Sequence, residues 1–236
     1  TWYGHACFRI EGATISIVTD PFMPGHDHIH ASGLPGLPPF EPDVVLMSSD
    51  DDEAHSWWQA APGSPRVVNT LEHLDAPLQL ADDVRVTAFP AREGDDRPDW
   101  AGDATPNAMY LVELDGLAIL HIGDIGIPFS QSHLDALAGK VDVMLALAGG
   151  GLTIALDDLD AAIEVIAPKV VIPMHYKIPQ LRYGVGPLED FLAHRSGDPL
   201  VEIDGATVEV TGATLPSDRT TIVLRPLVLE GTEAIA

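Results

Sequence analysis

Leu117-Ala118-Ile119-Leu120-His121-Ile122-Gly123-Asp124 is an apolar run that empties directly into a histidine, a glycine and an aspartate. A run of this kind fits a buried strand whose last residues emerge at the edge of a sheet. Asp115-Gly116 just before it is a hairpin signal, so residues 108–113 are read as the antiparallel partner strand. Downstream, Ser130 caps a helix that ends at Gly139, and residues 141–146 form the next strand. A Gly149-Gly150-Gly151 turn leads into a helix carrying Leu156, Leu159, Ile163 and Ile166 at helical spacing. Pro168 stops that helix, and residues 170–173 form another strand, followed by Met174-His175-Tyr176. A last helix begins near Leu188, and strands around Val208 and Ile222 follow.

Upstream the pattern is strand-rich. Residues 6–10 and 14–19 flank a turn at Glu11-Gly12, and Asp20-Pro21 stops the second strand. Residues 24–42, rich in Gly, Pro and His, read as a long loop. Residues 44–47 form a short buried strand that opens into Ser48-Ser49-Asp50-Asp51-Asp52-Glu53-Ala54-His55, with a helix expected through Trp57 and Trp58. Residues 84–89 are a further strand. Strands and helices mixed in this rhythm imply a layered α/β architecture in one domain spanning residues 1–236.

The 236 residues carry 12 Lys+Arg against 36 Asp+Glu, a formal charge of −24, and only three of the cations are lysines. Nucleic acid and anionic membrane both require neutralising cations, so neither is expected as a partner. No apolar stretch approaches the roughly 18 residues of a membrane-spanning helix, and the opening residues do not read as a charged-then-apolar leader. The first residue is Thr1 rather than Met, so a short native start is expected to be missing. The single cysteine, Cys7, cannot form an internal disulfide and sits in an apolar strand; it reads as packing in a cytoplasmic protein.

Three strand ends gather metal-binding side chains: Asp50 to His55, His121 to Asp124, and His175. Loops at one edge of a rigid sheet can bring such groups to one point although they lie far apart in sequence. Taken alone, each cluster is weak evidence, and the acidic run Asp50 to Glu53 reads as a solvated turn. No Gly-x-Ser-x-Gly elbow or phosphate loop is present, which argues against serine-hydrolase and nucleotide chemistry.

Trp2-Tyr3-Gly4-His5-Ala6-Cys7-Phe8, Thr19-Asp20-Pro21, Asp115-Gly116-Leu117, His121-Ile122-Gly123-Asp124 and Ile172-Pro173-Met174-His175-Tyr176-Lys177 stand in an order that resembles the metallo-β-lactamase superfamily. The nearest branch is that of metal-dependent hydrolases similar to the ascorbate-phosphate lactonase. The resemblance implies a four-layer αββα sandwich, the metallo-β-lactamase fold, with a site for one or two divalent ions, Mn or Zn, at one edge. It places the bridging aspartate at Asp124 and the last ligand at His175. His5 and Asp20 fall behind the ligands as supporting residues.

The family's H-x-H-x-D-H motif is degenerate here. In register, its residues fall on Ser49, Asp51, Glu53 and Ala54, with His55 one position beyond, and the later histidine falls near Glu93. Two readings follow. In one, Asp51, His55, Glu93, Asp124 and His175 hold metal in an acid-rich site suited to hard cations, and Glu53 is the catalytic base acting on a lactone, ester or phosphoester. In the other, the metal centre is lost and the protein acts by binding. His26, His28 and His30 alternate along an extended segment and are either replacement ligands or a surface loop. His121 reads as structural. Tyr176 and Lys177 are read either as contacts to an anionic substrate group or as capping residues.

Overall fold

The computed structural model describes residues 1–24, 34, 36–50, 53–94, 105–181 and 184–227. Asp51, His26, His28 and His30 lie outside the described residues.

Two sheets carry the chain. The first has five strands in sequence order: β1 (Trp2–Gly4), β2 (Cys7–Glu11), β3 (Ser16–Thr19), β4 (Val44–Met47) and β5 (Arg66–Asn69). β1, β2 and β3 pair antiparallel, whereas β3, β4 and β5 run parallel. The second sheet has eight strands: β6 (Leu78–Ala81), β7 (Val84–Arg92), β8 (Pro106–Leu114), β9 (Leu117–His121), β10 (Val143–Leu147), β11 (Val170–Met174), β12 (Leu200–Glu202) and β13 (Thr220–Val223), in the order β12-β13-β11-β10-β9-β8-β7-β6. β9, β10 and β11 are parallel neighbours, so their carboxyl ends emerge on the same edge.

Alternation along the strands builds the core. Ile17, Val44, Leu46 and Val68 of the first sheet meet Val84, Val86, Tyr110 and Val112 of the second. Val45 and Met47 point the other way, into a larger cluster that contains β10 and β11. All five residues of β10 are buried, the signature of a parallel strand covered on both faces. Three helices join the same core: α1 (Gln131–Leu137), α2 (Leu156–Ile166) and α3 (Leu188–His194). α2 buries Leu159, Ala162, Ile163 and Ile166, the helical spacing read from the sequence. Each large aliphatic removed from water contributes about 1.5–3 kcal/mol. α2 ends at Ala167 in the left-handed region (φ 53°), a conformation usually left to glycine, immediately before Pro168. The result is an α/β sandwich.

Several expectations hold in detail. Asp115 and Gly116 both adopt positive φ (51° and 77°), as a tight hairpin with right-handed twist demands. Ser130 caps α1 by accepting a hydrogen bond from the His133 amide at 3.2 Å. Two expectations fail. The helix through Trp57 and Trp58 is a single 3-10 turn, Trp58–Ala60, because Pro62 and Gly63 follow at once. No strand forms around Val208; the chain from 206 to 211 runs irregularly, and the strands that close the sheet are β12 and β13. Among the described residues no helix is long and apolar enough to cross a membrane.

Candidate functional site

The carboxyl ends of β3, β4, β9 and β11, with the end of β7 and the β1–β2 turn, deliver the candidate residues to one edge of the sandwich. His55 lies beyond β4, Glu93 directly after β7, Asp124 three residues after β9, His175 directly after β11, and His5 between β1 and β2. Segments 170 residues apart in sequence thereby meet.

Two triads result. In the first, His5, His55 and His175 offer ring nitrogens; in the second, His55, Glu93 and Asp124 offer one nitrogen and two carboxylate oxygens. Within each triad the donor atoms lie within 4.8 Å of one another. His55 Nε2 is 3.5 Å from His175 Nε2 and 3.6 Å from Asp124 Oδ2, and His175 Nε2 is 3.4 Å from Asp124 Oδ1. The three imidazoles and Glu93 are buried, and the Asp124 side chain is 15% exposed. Buried Asp124 Oδ1 accepts no hydrogen bond from any described residue; the His175 imidazole stands at ion-pair distance from it and the His55 imidazole from Oδ2. Converging carboxylates in a buried space favour a cation between them. The donor set therefore fits a divalent ion.

The main chain around these donors is tightly determined. The His5 carbonyl accepts from Trp2 Nε1 at 3.0 Å and from the His175 amide at 3.1 Å, sewing the β1–β2 turn to the end of β11. Asn107 Oδ1 accepts from the Asp124 amide at 3.2 Å. The Ser48 carbonyl accepts from the Ala108 amide, joining the two sheets beside the site. His5, Asp20 and His175 are all non-glycine residues with positive φ (52°, 40° and 55°). Each such conformation costs about 1–2 kcal/mol and persists where the surroundings over-determine it, as they do at functional sites.

Behind the donors lies a fully buried polar group of Asp20, Ser48, Tyr110 and His121. Asp20 accepts from the Ser48 amide at 2.8 Å and from the Ser48 hydroxyl at 2.7 Å, which fixes the start of the β4 loop. Burial pushes its pKa up to about 7; the His55 charge and the Ser48 hydrogen bonds pull the other way, while Asp124 adds to the rise. His121 Nδ1 accepts from the Gly123 amide at 3.0 Å, which leaves Nε2 to carry the proton it donates to the Ala6 carbonyl at 2.8 Å. Both ring nitrogens are engaged, so His121 is structural. Burial pushes its pKa down to about 4.

Those two shifts act oppositely on stability. Neutral His121 contributes stability at high pH that is lost as pH falls from about 6.5 to about 4, because only the unfolded chain takes up a proton in that window. Asp20 costs stability as pH rises from about 4 to about 7, where the unfolded carboxyl ionises first. In metal-free protein, His121→Gln is expected to destabilise less at pH 5 than at pH 7.5, measured by urea unfolding. A gap that does not change with pH would show that His121 is not held neutral.

The sequence-derived residues thus converge in part. His55, Glu93, Asp124 and His175 come together, and Asp20 stands behind them. His5 differs from expectation: its ring lies among the donors, with centroids 4.0 Å from His175 and 4.5 Å from His55. Glu53 belongs to neither triad, and its main-chain carbonyl accepts from the Met23 amide. Among the described residues the two triads comprise three imidazoles and two carboxylates. Tyr176 is buried with its hydroxyl donating to the Leu224 carbonyl, and Lys177 Nζ donates to the Leu181 carbonyl.

Residues 1–175 match a family model described as a beta-lactamase superfamily domain. The chain is similar to a UPF0173 metal-dependent hydrolase of Methanoregula boonei, with 30% identity over 75% of this chain and 81% of the relative. A protein of the same description from Methanoculleus marisnigri is 29% identical over 81% of this chain and 85% of its own. Among solved structures, one proposed to be a Zn-dependent hydrolase of the metallo-β-lactamase superfamily from Thermotoga maritima superposes with a TM-score of 0.69 at 27% identity, covering 95% of this chain and 96% of that one. An isothiocyanate hydrolase from Delia radicum gut bacteria superposes with a TM-score of 0.67 at 13% identity, a likeness of fold alone.

Proposed function

The chain belongs to the beta-lactamase superfamily, in its UPF0173 branch, and from that membership we propose that it is a metal-dependent hydrolase of a small lactone, ester or phosphoester. The observation that carries the reading is the convergence of His55, Glu93, Asp124 and His175 at the carboxyl edge of the sheets, with donor atoms 3.4–3.6 Å apart around Asp124. A protein that had kept only a binding cleft has no need of imidazoles and carboxylates packed this closely at the cost of burying charge.

His55, Asp124 and His175 would hold the ion, with Glu93 alongside. When bound, a divalent ion supplies Lewis acidity toward a carbonyl or phosphoryl oxygen and makes water acidic enough to attack near neutral pH. Glu93 is the better-placed proton acceptor, being 4% exposed and within 4.8 Å of donors on His55 and Asp124. Glu53, at the motif position that supplies this carboxylate in the family, stands in neither triad and serves as the alternative acceptor. Asp20 and His121 keep the loops after β4 and β9 in place, so that the donors do not reorganise when substrate arrives. A cytoplasmic location belongs to the same proposal, resting on the free, buried Cys7.

The test is a hydrolysis panel of lactones, phosphodiesters and thioesters, run on metal-stripped protein with Zn, Mn or Mg restored in turn. Turnover that appears with metal and disappears with chelator is the expected result. Protein that binds no ion and hydrolyses nothing on the panel would return the binding-only reading to first place.

A further inference from the structure

We propose that the cleft beside Glu93 and Asp124, walled by Ile127, Pro128 and Leu152, is a substrate subsite that receives an uncharged aliphatic arm, so that the substrate is a neutral carboxylic ester or lactone rather than an anionic phosphoester. This rests on the hydrolase reading above and adds to it a substrate class and the side chains that select it.

Gly94 directly follows Glu93, and Gly126 stands two residues beyond Asp124. Both glycines line the cleft, which encloses about 340 Å³. Consecutive Cα atoms are about 3.8 Å apart, so this lining lies no more than about 8 Å from the main chain of either carboxylate residue. The volume falls at the lower end of the roughly 300–1,000 Å³ of small-molecule sites. Main-chain hydrogen bonds cross-link the three loops that form it. The Gly126 amide donates to the Arg92 carbonyl at 3.0 Å, joining the loop after β9 to the end of β7. The Ile154 amide donates to the Ile125 carbonyl at 2.7 Å, joining the loop after β10 to the loop after β9. The cleft is therefore pre-formed, which spares a ligand the cost of ordering it.

The side chains name the occupant. Ile127, Pro128 and Leu152 give the cleft an aliphatic wall, and Leu152 is 50% exposed, a large apolar side chain left in water close to the buried donors. An aliphatic arm laid against it removes that surface from water, and the gain grows with the area covered. Among the described residues no Lys or Arg lines the cleft, and its only ionisable side chain is Asp158. Glu93 and Asp124 add carboxylates beside the lining glycines. An anionic arm would thus meet carboxylates and no cation, in a chain whose formal charge is −24. An uncharged arm meets no such opposition.

Binding and turnover test this separately. Saturation-transfer NMR on the protein as purified is run with pentanamide, and with pentanoate, which has the same chain and a negative charge. Pentanamide is expected to bind, pentanoate about ten-fold more weakly, and Leu152→Asp to weaken pentanamide at least about ten-fold. Leu152 is half exposed, so the variant leaves the core intact; should its melting temperature fall, Leu152→Thr is read in its place. With metal restored, kcat/KM for γ-octanolactone should exceed that for γ-butyrolactone at least about ten-fold, and the ratio should collapse in Leu152→Asp. Pentanamide that does not bind, pentanoate that binds as well, a variant that binds pentanamide like the wild type, or turnover that ignores the arm or favours bis(p-nitrophenyl) phosphate overturns the inference and leaves the hydrolase reading standing. Binding as expected without turnover of any of the three compounds removes the hydrolase reading, and the substrate class with it, while the occupant of the cleft stands.

Discussion

Asp124→Ala is expected to lower metal affinity more than about 100-fold, beyond the 10–100-fold that loss of a supporting partner costs. Asp124 has one carboxylate oxygen 3.6 Å from His55 Nε2 and the other 3.4 Å from His175 Nε2, so it ties both imidazoles together. The main chain there is held independently, by Asn107 Oδ1 accepting from the Asp124 amide and by Gly123 in the preceding turn. The fold should therefore survive and the binding should not. Zinc at one hundred times its dissociation constant stabilises a folded protein by about 2.7 kcal/mol through mass action. That increment, read as a rise in melting temperature on adding zinc, should appear in the wild type and vanish in Asp124→Ala. A variant that kept the full rise would remove Asp124 from the centre. Asp124→Asn preserves shape without charge, and should fall between the two.

Gly126→Ala should be the most damaging single methyl at the site. The carboxyl end of β7 and the loop after β9 touch backbone to backbone where Gly94 and Gly126 cross, and a Cβ on Gly126 would overlap the Gly94 amide nitrogen and Cα. Neither partner is a flexible side chain, so the loops must separate. Overpacking of this type costs about 1–3 kcal/mol, and the upper end is expected because the Gly126 amide also donates to the Arg92 carbonyl at 3.0 Å. The same separation would draw Glu93 away from Asp124. Urea unfolding should show a lower midpoint at an unchanged slope, and any metal-dependent turnover should drop with it. A midpoint within about 0.5 kcal/mol of the wild type, the range of neutral surface changes, would mean that the two loops have room to spare.

Much of the layout was legible because it rests on local signals. The Asp115-Gly116 hairpin, the apolar runs of β10 and β11, and the spacing of Leu159, Ile163 and Ile166 on α2 each announce their element from a few residues. β5 and β6 were not legible: each is four residues, and Arg66, Val67 and Gln79 are exposed, so neither alternation nor a buried run stands out. The short β1, three residues long, was passed over for the same reason. Asp124 and His175, which stand in recognisable motifs, are brought to 3.4 Å of one another. The place of His5 beside His55 and His175 was not legible, since it depends on a carbonyl shared between Trp2 and His175, a contact across 170 residues that no window of sequence contains. The surrounding phrase, Gly4-His5-Ala6, marked the residue without revealing what it faces.

The closure of β1 sets the order in which this protein can be made. The Trp2 amide donates to the Ala206 carbonyl, and the Leu227 amide donates to the Trp2 carbonyl. At ribosomal speeds of 5–20 residues per second, the segment that carries His5 therefore waits roughly 10–40 s for its hydrogen-bonding partners to be synthesised. Over that interval β2 and β3 can pair, but the turn between β1 and β2 has neither its lock nor His175 to lean on. Assembly of the candidate site is thus postponed until almost the whole described chain has left the ribosome, and any ion met earlier would find only fragments of the set.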